Sequence, residues 1–246
     1  MTLSDADLLL PDWPAHAAVR AIVTTRAGGV SPPPYDSLNL GIAVGDDPES
    51  VRENRARLRA RLPAEPRWLR QVHGNRVVDA ATVTTLVEAD GSFTTQPGVV
   101  CVVQMADCMP VLLADHAGTR VAAAHAGWRG LSGDILGNAV RALDTDPAAL
   151  IAWMGPAIGP TAFEVGDDVR DAYVGHAEEA AAAFVPHGPG KWLADLFVLA
   201  RQRLASLAVG SIHGGGLCTV GDSRRFFSHR RDRVSGRMAA AIWLAR

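Results

Sequence analysis

The sequence predicts an α+β fold with mixed β-sheets, and two observations carry that prediction. Short, Val-rich apolar runs of about 5–8 residues recur along the chain, which is strand length and strand composition. Amphipathic stretches at helical spacing fall between them without strict βαβ alternation, which points to mixed sheets layered with helices. At 246 residues the chain is long enough to bury one large core, and a single domain over 1–246 is expected.

Val19–Thr25 is β-branched and bounded by a glycine pair, so it is expected as a strand. The stretch AGGVSPPPYDSLNLG that follows is loop, because three consecutive prolines forbid helix. A loop this long inside a compact domain is usually functional, and its Gly-rich start and Asn39-Leu40-Gly41 end suggest order. Pro48–Leu62 is expected as a helix capped by Asp46 or Asp47, with Val51, Leu58 and Leu62 on one face. Glu49–Arg52 and Glu53–Arg57 supply side-chain pairs, so the helix arginines are read as a solvated face. Strands are expected at Arg67–Val72, Arg76–Val83, Val99–Met105, Pro110–Ala114 and Arg120–Ala124. Next come a helix over Ser132–Asp144, a strand over Ile151–Gly155, and a helix over Val165–Phe184 broken near Gly175. A helix over Leu193–Leu207 and closing strands at Ser211–Val220 and Arg237–Leu244 complete the reading.

Net charge of −2 and a pI near 6.4 supply no basic field for nucleic acid. No apolar run reaches the length of a bilayer span. The acidic start MTLSDADLLL lacks the basic region of a signal peptide, and three cysteines form no disulfide framework. A cytoplasmic protein, monomer or weak homodimer, is expected.

Three residues stand where strands meet loops: His73 in QVHGN, Cys108 in ADCMPVLL and His125 in AAAHAGWRG. Clustered C-x₂-C ligands of a structural zinc site are absent. A catalytic zinc needs only three protein ligands, and two imidazoles with one thiolate are a suitable set. Each could equally be a satisfied histidine or an inert buried thiol. Arg129, before a helix start, is either an anion seat or a surface arginine lying on Trp128. Arg26 invites the same two readings. Arg231, in SHRRD, is a phosphate ligand or a loop staple to Asp232. Glu164 is either an acid–base group or an ordinary helix-start acid.

TTRAGGVSPPPYDSLNLG, QVHGN, ADCMPVLL, HAGWRG, GPAIGPTAFEVG and FFSHRRD…GRMAAAIWL occur in this order over nearly the whole chain. Together they resemble the YfiH-like laccase-domain family, now regarded as purine nucleoside phosphorylases. The resemblance implies an α/β/β/α domain similar to the cytotoxic necrotizing factor catalytic domains. It implies zinc held by His73, Cys108 and His125, with Cys108, His125 and Glu164 as catalytic candidates. Arg26, Asn39, Arg129 and Arg231 are the substrate and phosphate candidates. The implied activity is phosphorolysis of adenosine, inosine and methylthioadenosine, with adenosine deamination. Some relatives carry cysteine where this chain has Thr161 or Ala162, so any extra thiol role there is absent.

Multicopper oxidation needs many more histidines, often in His-x-His pairs, and none of the eight histidines here forms one. Copper at the His/Cys/His set is expected only adventitiously. Two other readings stay open. One is an amide hydrolase that edits peptidoglycan precursors at the same site. The other is a non-enzymatic, zinc-stabilised regulatory module.

Overall fold

The computed structural model describes residues 3–246. Strands run as β1 (Leu8–Leu9), β2 (Val19–Thr24), β3 (Leu69–Arg70), β4 (Val77–Asp79) and β5 (Val87–Glu88). They continue as β6 (Gly91–Thr94), β7 (Val100–Met105), β8 (Met109–Asp115), β9 (Val121–Ala126) and β10 (Leu150–Met154). The last are β11 (Glu164–Gly166), β12 (Phe184–Pro186), β13 (Lys191–Ala194), β14 (Ser211–Gly214) and β15 (Met238–Leu244). The α-helices are α1 (Pro48–Arg59), α2 (Trp128–Ser132), α3 (Ile135–Ala142), α4 (Asp167–Val174), α5 (Leu196–Ser206) and α6 (His229–Asp232).

A four-stranded antiparallel sheet in the order β1-β2-β15-β7 packs face to face on a six-stranded mixed sheet, β14-β10-β8-β9-β6-β4. Between them lie Val23, Val103, Met105, Leu112, Val121 and Trp153, all buried. The outer face of the four-stranded sheet is covered by Leu58 of α1 with Leu38 and Leu40 of the preceding loop. The outer face of the six-stranded sheet packs on α3, α4 and α5 through Val111, Leu113, Ile135, Val140 and Leu204. The order is helix, sheet, sheet, helix, as the family resemblance implies. No helix among the described residues is long and apolar enough to cross a membrane.

Element positions differ from the sequence reading where a cap or a left-handed residue intervenes. The segment expected as one helix over Ser132–Asp144 is split, because Asp134 takes a left-handed φ of 72° and caps α3 through Gly137 N at 3.1 Å. The Val165–Phe184 helix is confined to α4, which ends at Gly175 as expected; a 3₁₀ segment, Glu178–Ala183, and β12 follow. Asp195 caps α5, so Lys191–Ala194 becomes a strand between β11 and β12. The closing strand at Ser211 stops at Gly214, where three successive glycines adopt positive φ. β6 has no counterpart in the sequence reading: GSFT is short and polar, yet three of its four residues are buried between neighbours.

The long loop after β2 is ordered from within. Asn54, fully buried on α1, donates to Ser31 Oγ, Ser37 O and Asn39 O, and accepts from Val30 N at 2.9 Å. Asp47 caps α1 through Ser50 N at 2.9 Å, and the Glu53–Arg57 pair closes at 2.8 Å.

Candidate metal centre and its cavity

The β8–β9 hairpin sets two of the three candidate ligands. Cys108 immediately precedes β8, and His125 lies within β9, directly opposite Pro110 in the antiparallel register. His73 comes from the β3–β4 connection, in a left-handed conformation with φ 61°. One ligand atom from each of His73, Cys108 and His125 falls within 4.8 Å of the other two. The two imidazoles meet edge to face, with centroids 5.0 Å apart.

One buried carboxylate organises this set. Asp90 Oδ1 lies 2.9 Å from His125 Nδ1, and its two oxygens accept from the backbone N–H groups of Val72, His73 and Gly74 at 3.1, 2.9 and 2.7 Å. Its own carbonyl accepts from His125 N at 2.7 Å. The imidazole Nδ1–H therefore donates to Asp90, and Nε2 is left as the ligand atom. Burial of Asp90 alone would raise its pKa, but His125 and the loop N–H groups outweigh that and lower it.

Gly127 allows the close approach. A Cβ there would stand 2.7 Å from Cys108 Sγ and 3.3 Å from His73 Cδ2, so only glycine lets the strand end pass behind the thiol. Tyr173 donates its hydroxyl to Trp128 O at 2.7 Å, which ties α2 to α4 beside the site. Burial opposes ionisation of Cys108, but the neighbouring His125 and His73 outweigh it and hold the thiol well below its ordinary value. His125 is displaced upward: burial disfavours its charge, and the Cys108 thiolate and Asp90 overcome that.

These donors fit a metal ion of borderline softness. Two imidazole nitrogens, one readily ionised thiol and a carboxylate behind one imidazole match a three-ligand centre that keeps one position for substrate or water. Among the described residues it is the one group of three such side chains close enough to share an ion.

The centre faces a cavity of about 600 Å³. Trp68, Trp128 and Phe163 supply its aromatic walls, and Gln71 and Gln104 contribute from the four-stranded sheet side. The Gln71 carboxamide is consumed by the backbone of Gln104, whereas the Gln104 carboxamide makes no hydrogen bond among the described residues. Five arginines line the cavity: Arg55, Arg70, Arg230, Arg233 and Arg237.

The remaining sequence candidates lie elsewhere. Glu164 begins β11 outside the cavity, its carboxylate 3.6 Å from His187 Nε2. Arg129 is exposed and stacks on Trp128 at 4.2 Å. Arg231 staples its loop, pairing with Asp232 and donating to Thr219, Val220 and Phe226 carbonyls. Arg26 donates to the Asp36 carbonyl at 2.8 Å and lies over Phe227. Asn39 is fully buried and bonds to Asp46 and Gly41 rather than lining the cavity. Local hydrogen-bond or ion-pair partners take up Arg26, Asn39, Arg231 and Glu164, whereas Arg129 is only stacked on Trp128. Sequence reasoning missed Asp90, although its place before Gly91 at a strand start is the kind of position that can hold a ligand-orienting carboxylate. It also read the α1 arginines as a solvated face, which holds for Arg52 but not for Arg55 or for Arg57, whose side chain is mostly buried and donates to Gly28 O.

Comparison with known proteins gives a consistent picture. A family model described as multi-copper polyphenol oxidoreductase laccase matches residues 20–245. A Pseudomonas aeruginosa protein named purine nucleoside phosphorylase is 54% identical over 237 residues, covering 96% of this chain and 98% of its own. The Escherichia coli protein named purine nucleoside phosphorylase YfiH is 52% identical over 240 residues, with the same coverage. Among solved structures, the Neisseria meningitidis protein NMB0706 superposes with a TM-score of 0.95 at 49% identity, over 98% of this chain and 100% of that one. YlmD from Geobacillus stearothermophilus gives 0.89 at 32% identity, over 100% and 98%. By sequence over nearly its full length and by fold, the chain belongs to the laccase-like YfiH family.

Proposed function

We propose that this protein is a metal-dependent purine nucleoside phosphorylase, converting adenosine, inosine or methylthioadenosine and phosphate into free base and ribose 1-phosphate. The observation that carries the reading is the coincidence of the His73/Cys108/His125 centre with an aromatic, arginine-lined cavity in the size range of small-molecule sites. The names of relatives at 52–54% identity support it. Zinc is the metal we assign, because the donor set is borderline-soft and leaves one position open; copper would bind adventitiously. Bound there, the ion would supply Lewis-acid polarisation of a substrate group in contact with it.

The chain's own residues do the rest. Asp90 fixes the His125 ring and the His73 loop, so the donors need no reorganisation when substrate arrives. Trp68, Trp128 and Phe163 offer aromatic faces to a purine, and the Gln104 carboxamide offers both a donor and an acceptor to its edge. Cavity arginines offset the charge of phosphate. Glu164, set against His187 outside the cavity, gains no support from its position for moving a proton during adenosine deamination. Deamination of adenosine to inosine remains part of the proposal as a secondary activity of the same centre. All three cysteines are free, which suits a reducing cytoplasm.

Product analysis tests the reading. Adenosine incubated with phosphate is expected to give adenine and ribose 1-phosphate, and omission of phosphate is expected to stop their formation. Inosine alone as product would leave only deamination.

One observation favours a second reading. Asp90, His125 and Cys108 stand in the order carboxylate, imidazole, thiol, as in a nucleophilic triad. An amide hydrolase acting on peptidoglycan precursors would use Cys108 directly. Metal-stripped protein would then keep amide cleavage, whereas the phosphorylase reading requires that chelation stop turnover.

A further inference from the structure

Five arginines line the cavity, but their guanidinium groups are not equivalent. Arg70 pairs with Glu88. Arg230 donates its Nη1 and Nη2 groups to the carbonyls of Ala162 and Glu164, each at 3.1 Å. Arg233 is exposed just beyond α6. Arg55 and Arg237 differ: both are half-buried, and neither forms an ion pair among the described residues.

Carbonyl and hydroxyl oxygens hold both of them, and one short segment, Asn39–Gly41, touches both residues. Arg55 Nε donates to Leu40 O at 2.9 Å, with its guanidinium 3.9 Å above Trp68. Arg237 Nη1 donates to Ser235 O at 2.8 Å and Gly236 O at 3.1 Å. Leu40 N in turn donates to Arg237 O, and Asn39 Oδ1 accepts from Arg237 N at 2.8 Å. A Cβ on Gly41 would stand 2.7 Å from Arg237 Cγ, so glycine lets that side chain lie across the segment. Both Nη groups of Arg55, with Nε and Nη2 of Arg237, remain without acceptors among the described residues.

The carboxylates nearby are committed elsewhere. Asp107 accepts from Thr219 Oγ1 and Arg230 N, each at 2.6 Å, and Asp46 accepts from Ser31 and Asn39. Glu65 lies against Arg59 and Trp68 Nε1. Met238 faces Met105 across the β15–β7 pair, which brings Arg237, one residue earlier, alongside the segment leading to Cys108. Two half-buried cations that line one cavity without a counterion are costly unless an anion enters it. Free guanidinium forks suit a tetrahedral oxyanion.

We propose that Arg55 and Arg237 form the seat of the phosphate co-substrate, held in place by Asn39–Gly41. This rests on the phosphorylase reading and deepens it. Asn39 is then a positioning residue, which accounts for its complete burial away from the cavity.

The test measures phosphate and inosine dependence separately in Arg55→Gln, Arg237→Gln and the corresponding lysine variants. Calorimetric binding of inorganic phosphate to the same metal-loaded proteins is measured in parallel. Folding is checked by circular dichroism, and Arg52→Gln, on the exposed side of α1, serves as control. Each glutamine variant is expected to raise the KM for phosphate, and its calorimetric Kd, by about tenfold or more. The KM for inosine should stay within about twofold, and lysine should recover part of the loss. Folded variants with unchanged phosphate KM and Kd would overturn the proposal while leaving the phosphorylase intact. Wild-type protein that binds phosphate at Arg55 and Arg237 but forms no ribose 1-phosphate would sink the phosphorylase reading and keep the anion seat. Wild-type protein that binds no phosphate would overturn the seat.

Discussion

Asp90 Oδ1 stands 2.9 Å from His125 Nδ1, and the same carboxylate gathers the N–H groups of the loop that carries His73. One fully buried acid therefore orients two of three candidate ligands that are 52 residues apart in sequence (125 − 73). Asp90→Asn keeps the volume but turns an amide N–H toward donors that need an acceptor. Zinc affinity is expected to fall about 10–100-fold, read by competition with a chromophoric chelator. Unchanged affinity in a folded Asp90→Asn protein would show that the loop orders itself without the carboxylate.

Cys108 differs from Cys101 in its electrostatics. The two imidazoles lower its pKa, whereas burial pushes Cys101 up to about 12 despite an opposing hydrogen bond with Ser92. In metal-free protein, iodoacetamide should modify Cys108 at neutral pH and continue to do so somewhat below it, because a lowered pKa preserves thiolate as pH falls. Cys101 should stay unmodified, and bound zinc should protect Cys108. Peptide-resolved mass spectrometry separates the sites. Equal labelling with and without zinc would remove Cys108 from the ligand set.

Gly127→Ala probes the close packing behind the centre. The new methyl would meet Cys108 Sγ at 2.7 Å and must displace it or the strand end. A stability loss of about 1–3 kcal/mol is expected, with a larger proportional loss of zinc binding. A variant that binds zinc normally would mean that the thiol is not confined by this contact.

Away from the centre, Asp115 locks the turn of the β8–β9 hairpin. Its oxygens accept from Thr119 N at 2.7 Å, Thr119 Oγ1 at 2.5 Å and Arg120 N at 3.0 Å. Burial would raise its pKa, but these bonds prevail and lower it from 3.8. The bonds therefore stabilise the fold above the ordinary carboxylate value, and the contribution disappears as pH falls through the lowered one. Asp115→Asn should cost about 1–2 kcal/mol at pH 7, with the difference from wild type closing toward pH 3. A difference that is the same at both pH values would contradict the carboxylate account. Urea denaturation at each pH measures it.

The mixed α+β character and the strand-end positions of the three candidate ligands were legible locally, whereas the layer order and the grouping of the three came from the family resemblance. Short apolar runs mark β7 to β9, and a histidine or cysteine at a strand end is visible as such. The arrangement around the ligands was not legible in the same way. Asp90 acts through contacts with residues up to 35 positions away (125 − 90), and no spacing rule predicts them. Arg55 has the same local setting as Arg52 and Arg57, yet the turn of α1 aims it at Leu40 and Trp68. Arg129 and Arg231 looked equally available in sequence, but loop carbonyls consume Arg231 while Arg129 lies exposed over Trp128. Whether a polar side chain is free or consumed depends on tertiary partners, which lie outside a linear pattern.

The most direct test of a metal-centred phosphorylase compares wild type with Cys108→Ala that remains folded by circular dichroism. Metal content by mass spectrometry and phosphate-dependent release of ribose 1-phosphate from inosine are measured on the same samples. Wild type should carry about one zinc ion per chain and turn over only with phosphate; Cys108→Ala should lose both the ion and the turnover. Phosphorolysis that persists in metal-free Cys108→Ala would contradict the account.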